Sequence, residues 1–248
     1  SLVILHSLHA FCNITYRIAS YNVENFWDSS PYNTENNWQA YKLRLPEYKR
    51  KNLPGSPQYL QYSLSYSNWY DDQILKAKVK SIVNVLKLLN YPEIVALQEL
   101  ESSGNNSLVF ETPYSSRITF AEKLKSLGYR YIFLGKQETN NPVSVTTAFI
   151  SKVEIKELAP VKIRLSEHST SSRDIQVVAL HVGNERLLMF NNHWKSKFGN
   201  GNEGARIHIA NILKERILQE KKHRQLTHII VLGDLNSAHY EKLRFPVV

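Results

Sequence analysis

Cysteine is almost absent. Cys12 stands alone among 248 residues, so neither an intrachain disulfide nor a cysteine-built zinc site can form. No apolar run reaches the ~18 residues that a membrane-crossing helix needs, so no stable membrane insertion is expected. No repeat or low-complexity stretch stands out. Acidic residues are in deficit, 22 Asp and Glu against 31 Lys and Arg, which leaves a net charge of +9. That balance favours polyanions: nucleic acid first, anionic membrane surfaces or phosphorylated small molecules second. A merely soluble basic protein is the plain alternative. Hydrophobic residues, at 42%, argue against a disordered chain, and the length suffices for one large domain or two small ones.

The opening "SLVILHSLHAFC" is apolar and does not start with methionine. Residues 1–12 read either as the tail of a secretory signal peptide or as an ordinary buried strand. The first reading makes the product exported, periplasmic or secreted; without it the expectation is cytoplasmic. From residue 13 onward the pattern is that of a single domain. "TYRIASYNVENFW" predicts a strand ending near Asn22. Residues 29–70, rich in Tyr, Asn, Pro and Ser, predict a long surface excursion whose aromatic rings either stack on bases or pack on the domain. "DDQILKAKVKSIVNVLKLLNYP" has helical spacing, capped by Asp71 or Asp72 and stopped by Pro92.

"EIVALQELE" predicts a buried strand, "SRITFAEKLKSLGY" a helix, and "RYIFLG", "VSVTTAFISK", "RDIQVVALHV" and "RLLMFNNHWKSK" four further strands, with Gly183-Asn184 turning between the last two. "EGARIHIANILKERILQEKKH" predicts a helix that turns Ile207, Ala210, Ile212, Leu213 and Ile217 inward, and "THIIVLGDLN" a last strand. Strands and helices alternate with hairpins mixed in, so the expected class is α/β: two packed mixed sheets flanked by helices.

Four strands end alike, an apolar run giving way to metal-competent polar side chains. These are Asn22 and Glu24; Gln98, Glu99 and Glu101; Asn191, Asn192 and His193; and Asp234 and Asn236. Residues at the ends of converging strands can share one cleft. Carboxylates and amides with little His and no Cys are hard oxygen ligands, suited to Mg²⁺ or Ca²⁺ rather than zinc. His193 adds a proton donor. Lys195 and Lys197 either anchor an anionic substrate or are simply solvated. The set describes metal-assisted phosphate ester hydrolysis. Strand alternation would put Asp234 and Asn236 on one face, with Leu235 turned into the core.

In order along the chain, "SYNVENFW", "IVALQELE", "TAFISK", "NNHWKSK" and "VLGDLN" resemble the endonuclease/exonuclease/phosphatase superfamily, the deoxyribonuclease I-like fold. The match runs over about residues 16–237, and "NVEN" with "NHWKSK" looks most like its bacterial, often exported nuclease-like branch. The resemblance implies a four-layer α/β sandwich and a Mg²⁺-dependent nuclease, with Mn²⁺ or Ca²⁺ as alternative ions, acting as a monomer on DNA. It implies that Glu99 is the principal metal ligand, with Asn22 and Glu24 helping at the metal or its waters. His193 would hydrogen-bond the scissile phosphate, Asp234 would orient or deprotonate the attacking water, and Asn236 would fix both phosphate and Asp234. Arg206 corresponds to a frequent family arginine, a surface salt bridge being equally open.

The pattern breaks in two places. Relatives continue past Gly-Asp-x-Asn to an Asp-His pair that supplies the main acid–base His, whereas "SAHYEKLRFPVV" contains none. The resemblance therefore implies a domain incomplete at its C-terminus, weak or inactive as it stands. Where nuclease-like relatives often carry Arg-Gly and an Asp, this chain has Val143, Ser144 and Thr146, which leaves substrate choice open. A lipid or inositol phosphatase, or a sphingomyelinase-like enzyme, is the rival within the fold. A non-catalytic polyanion-binding remnant is the rival outside it.

Overall fold

Apolar alternation lays down strands here, and 3.6-residue spacing lays down helices. The computed structural model describes residues 2–9, 15–26, 72–102, 110, 113–135, 144–164, 173–196, 202–223 and 227–237. The excursion expected over 29–70, Lys197, and the side chain of Glu101 fall outside that description. In chain order the elements are β1 (Leu2–His9), β2 (Thr15–Phe26), α1 (Asp72–Leu88), β3 (Ile94–Ser102), β4 (Pro113–Ser115), β5 (Ile118–Thr119) and α2 (Phe120–Ser126). There follow β6 (Tyr131–Leu134), β7 (Ser144–Ser151), β8 (Lys156–Val161), β9 (Ile175–Val182), β10 (Glu185–His193), α3 (Asn202–His223) and β11 (Thr227–Asp234).

Two mixed sheets result. One runs β1-β2-β3-β7-β6 and the other β11-β10-β9-β8, with β4 and β5 forming a separate two-stranded ribbon. The β2–β3 and β10–β11 pairs are parallel, the other pairs antiparallel. Gly183-Asn184 makes the β9–β10 turn, Gly183 at φ 59°, as the sequence predicts. β8 is not among the strands that the sequence pattern predicts. Its KELAPV alternates poorly and includes Pro160, which a sheet tolerates because β8 is an edge strand.

Side-chain alternation sorts the core into three seams. Ile18, Ile94, Ala96 and Phe149 of the first sheet meet Val178, Leu180, Leu187, Met189 and Leu232 of the second. The outer face of the first sheet (Ala19, Val95, Leu97, Ile150) packs on Leu75, Val79, Ile82 and Leu86 of α1 and on Phe120 and Leu124 of α2. The outer face of the second (Val177, Ala179, Leu188, Phe190) packs on Ile209 and Leu213 of α3. Helix, sheet, sheet, helix is the four-layer sandwich that the sequence implies.

The inward stripe of α3 matches the expected one at Ile212, Leu213 and Ile217 and departs from it at Ile207. Arg206, Ile209 and Leu213 are buried, whereas Ile207 is 42% exposed. The helix is polar on most sides, so its apolar periodicity points only loosely to the seam it covers.

Helix ends follow local chemistry. α1 stops as Asn90 (φ 56°) and Tyr91 (φ 50°) turn left-handed, and the Tyr91 N–H donates to Leu86 O at 2.7 Å, just before Pro92. α2 starts on a reciprocal cap: Glu122 N donates to Thr119 Oγ1 at 3.1 Å and Thr119 N to Glu122 Oε2 at 2.6 Å. Thr119→Ala is expected to cost about 1 kcal/mol, read as a lower urea midpoint at unchanged slope.

Candidate metal centre

Parity carries the site. Residues 18, 20 and 22 of β2, 94, 96 and 98 of β3, 187, 189, 191 and 193 of β10, and 230, 232 and 234 of β11 all point into the seam between the sheets. The last polar residues of each run therefore meet at one tip of the sandwich. β10 and β11 deliver His193 opposite Asp234 in parallel register, and β2 sets Asn22 opposite Gln98.

Glu99 reaches the tip by breaking the alternation. The β3–β7 register slips between Gln98 and Leu100, and Glu99 sits at φ 66°. Leu100 thereby returns to the outer core while Glu99 turns to the tip. β2 slips likewise between Asn22 and Phe26, with Glu24 at φ 57°. Left-handed backbone at non-glycine residues is costly and concentrates at functional sites.

Glu99, His193 and Asp234 each offer a ligand-competent atom, all within 4.8 Å of one another. His193 Nε2 lies 3.4 Å from Glu99 Oε1. Asn22 bridges the two carboxylates: its Nδ2 donates to Glu99 Oε1 and to Asp234 Oδ2, each at 2.9 Å. Its Oδ1 accepts the Glu24 N–H at 2.9 Å. In this arrangement Asn22 faces the cluster as a donor that aligns the carboxylates.

Asn236 is a neighbour of Asp234, though not by strand alternation. β11 ends at Asp234, and Asn236 turns left-handed at φ 49°. Its N–H donates to Asp234 Oδ1 at 2.8 Å and its Nδ2 to Trp194 O at 2.9 Å. The turn leaves Leu235 partly exposed, while Leu232 fills the core.

The remaining expected residues are placed unevenly. Glu24 is exposed and its carboxylate is not in the three-residue group. Lys195 follows Trp194 and is partly exposed, and Arg206 lies on the inward stripe of α3. Gln98, Asn191 and Asn192 do not open into the tip at all. They are 1%, 0% and 0% exposed and are tied to other strands by hydrogen bonds.

Two cations beside the cluster escape a reading of motifs. Arg173 donates from Nε to Val145 O at 2.6 Å, and its charge acts on Glu99, Asp234 and His193. The β9–β10 register, with Asn191 opposite Gln176, carries residues 173 and 174 back to the His193 end, and a hairpin count from Gly183-Asn184 would have found them. Lys78 of α1 donates from Nζ to Glu24 O at 2.8 Å; burial lowers its pKa, with Glu24 and Glu99 opposing.

The residues present fit a divalent cation. Two carboxylates converge with His193 beside them, its Nε2 3.4 Å from Glu99 Oε1. Hard oxygen donors of this kind suit Mg²⁺ or Mn²⁺.

Burial, then the Arg173 guanidinium, lowers the His193 pKa from 6.5 to about 3, with Asp234 opposing. Between those values the unfolded chain holds a proton that the folded chain refuses. The stability tied to a neutral His193 is therefore complete above pH 6.5 and drains as pH falls towards about 3. In chelator, the loss is expected to be on the order of a few kcal/mol. His193→Gln should flatten that slope in urea melts taken across the window.

The model of the Endonuclease/Exonuclease/phosphatase family matches residues 56–244. No curated protein matches. Among solved structures, ANGEL2, a 2',3'-cyclic phosphatase in complex with adenosine-2',3'-vanadate, is similar at 15% identity and a TM-score of 0.52, over 98% of this chain and 59% of that one. Truncated TDP2 of Caenorhabditis elegans is similar at 17% identity and a TM-score of 0.47, over 66% of this chain and 56% of that one. The human Nocturnin catalytic domain with bound sulfate is similar at 19% identity and a TM-score of 0.43, over 64% and 57%. The chain thus spans less than two thirds of the length of each.

Proposed function

Because the chain belongs to the endonuclease/exonuclease/phosphatase family, we propose that the tip cluster is the active site of a divalent-cation-dependent phosphodiesterase, with Mg²⁺ as the ion and DNA as the substrate. The observation that carries this reading is the convergence of Glu99, His193 and Asp234 within 4.8 Å at the end of the inter-sheet seam. Glu99 and Asp234 would hold the cation, which when bound offsets charge on the phosphoryl oxygens.

The chain's own groups do the rest. Asn22 keeps the two carboxylates aligned. Asp234, held by the Asn236 N–H, accepts the proton of a water whose oxygen attacks phosphorus in line. The opposite P–O ester bond breaks, and its oxygen takes a proton from solvent. His193 Nε2 donates to a non-bridging oxygen, and the fixed guanidinium of Arg173 supplies positive charge to the same group.

The net charge of +9 supports a nucleic acid over an uncharged or zwitterionic substrate. The test compares supercoiled plasmid, an oligoribonucleotide and anionic phospholipid vesicles, each with Mg²⁺ and with chelator. Plasmid nicking is expected, lost in chelator, and reduced at least about tenfold between 50 and 200 mM salt at subsaturating DNA. Phospholipid hydrolysis without nicking would move the assignment to a lipid phosphodiesterase. DNA binding that survives chelation without cleavage would leave a polyanion-binding protein.

A further inference from the structure

Ser20, Gln98 and Asn191 bring polar groups into the seam between the sheets, at 3%, 1% and 0% exposure. The proposed chemistry uses none of them, and apolar side chains would fill the seam without the cost of desolvating amides. Their hydrogen bonds cross between layers. Gln98 Nε2 donates to Asn191 Oδ1 at 2.8 Å, to Ala96 O at 3.1 Å and to Ser20 Oγ at 3.2 Å. Asn191 Nδ2 donates to Leu97 O at 3.0 Å and to Ala148 O at 2.9 Å. The pair therefore joins β2, β3 and β7 of one sheet to β10 of the other. Asn192 does the same between neighbours: its Nδ2 donates to Leu232 O at 2.9 Å, and its Oδ1 accepts from Trp194 Nε1 at 2.9 Å.

Their places in the chain show what these bonds serve. Ser20 precedes Asn22 by two residues, Gln98 immediately precedes Glu99, Asn191 precedes His193 by two, and Leu232 precedes Asp234 by two. Each side chain of the cluster thus leaves its strand within two residues of a buried hydrogen bond to another strand. An apolar seam fixes how far apart two sheets lie, but it is non-directional and permits sliding. A fully satisfied amide pair permits one register.

We propose that Gln98 and Asn191 form an inter-sheet clamp. They are a positioning pair that sets Glu99 of the first sheet against His193 of the second, at the observed 3.4 Å. The kinetic consequence rests on the phosphodiesterase reading; the geometric consequence stands without it.

The test is the double variant Gln98→Met/Asn191→Leu, beside Gln98→Met alone. The single change strands the Asn191 acceptor and is expected to lower Tm. The double change removes both partners of that bond at similar shape, while Ala96 O, Leu97 O and Ala148 O lose their side-chain donors, and should recover part of that loss. Recovery of Tm should not bring recovery of the site. In a crystal structure of the double variant the Glu99–His193 separation is expected to change by about 1 Å, and kcat to fall about 100-fold with KM within about twofold.

Recovered Tm together with parental separation and kcat would overturn the clamp and leave an ordinary buried amide pair. If the parent cleaves no phosphodiester, the functional reading fails while the crystallographic separation still decides the clamp. Should the double variant not fold, Gln98→Met alone is read by the same separation and kcat.

Discussion

Glu99→Gln is expected to lower Mg²⁺-dependent cleavage by about three to five orders of magnitude and to weaken divalent-cation binding at least about tenfold, without lowering Tm in chelator. The substitution keeps length and shape, and a Gln Oε1 can still accept from Asn22 Nδ2. What disappears is one of the two carboxylate charges in a group whose ligand atoms lie within 4.8 Å. Without a cation those like charges repel, so their removal should leave the metal-free protein as stable as before or more so. A variant gaining stability as it loses activity is the signature of a site whose charge serves function. A Tm fall with unchanged cleavage would assign Glu99 a structural role instead.

Gly233→Ala is expected to destabilise the fold by about 3–5 kcal/mol, strain and overlap together, a fall of roughly 10 °C in Tm. Gly233 has φ 115°, which a residue with a Cβ rarely adopts. A Cβ there would overlap the Asn192 carbonyl oxygen and fall 2.6 Å from the Asn192 nitrogen. The obstruction is backbone of the paired strand, so no rotamer relieves it. The β10–β11 pair, which sets Asn192 opposite Gly233 and His193 opposite Asp234, would have to part beside the cluster. Thermal melts with and without Mn²⁺ check both effects; an unchanged Tm would contradict the register.

Much of this was legible in the sequence, for a physical reason. The strands β3, β10 and β11 carry continuous apolar runs, and the stretch in which each turns polar marks the tip where the sheets expose their seam. That brings Glu99, His193 and Asp234 into view together with Gln98, Glu101, Asn191 and Asn192, and it is the family resemblance that singles the three out. Departures from regular geometry were not legible. The bulge at Glu99 and the left-handed turn at Asn236 are backbone events that side-chain periodicity does not encode, so alternation put Asn236 on the strand and Leu235 in the core. Gln98 and Asn191 read as site residues because a buried amide and a ligating amide look alike in sequence; only the partner across the seam tells them apart. Arg173 and Lys78 carry no motif. They come to the cluster through hairpin register and helix packing, which are relations between elements.

The central claim is that the tip of the seam holds one divalent cation. The most direct measurement is anomalous diffraction from crystals soaked in Mn²⁺. One peak is predicted, at roughly 2.0–2.3 Å from a carboxylate oxygen of Glu99 and within reach of Asp234, and absent in Glu99→Gln. No peak at the tip under saturating Mn²⁺, or an equal peak in the variant, would contradict it.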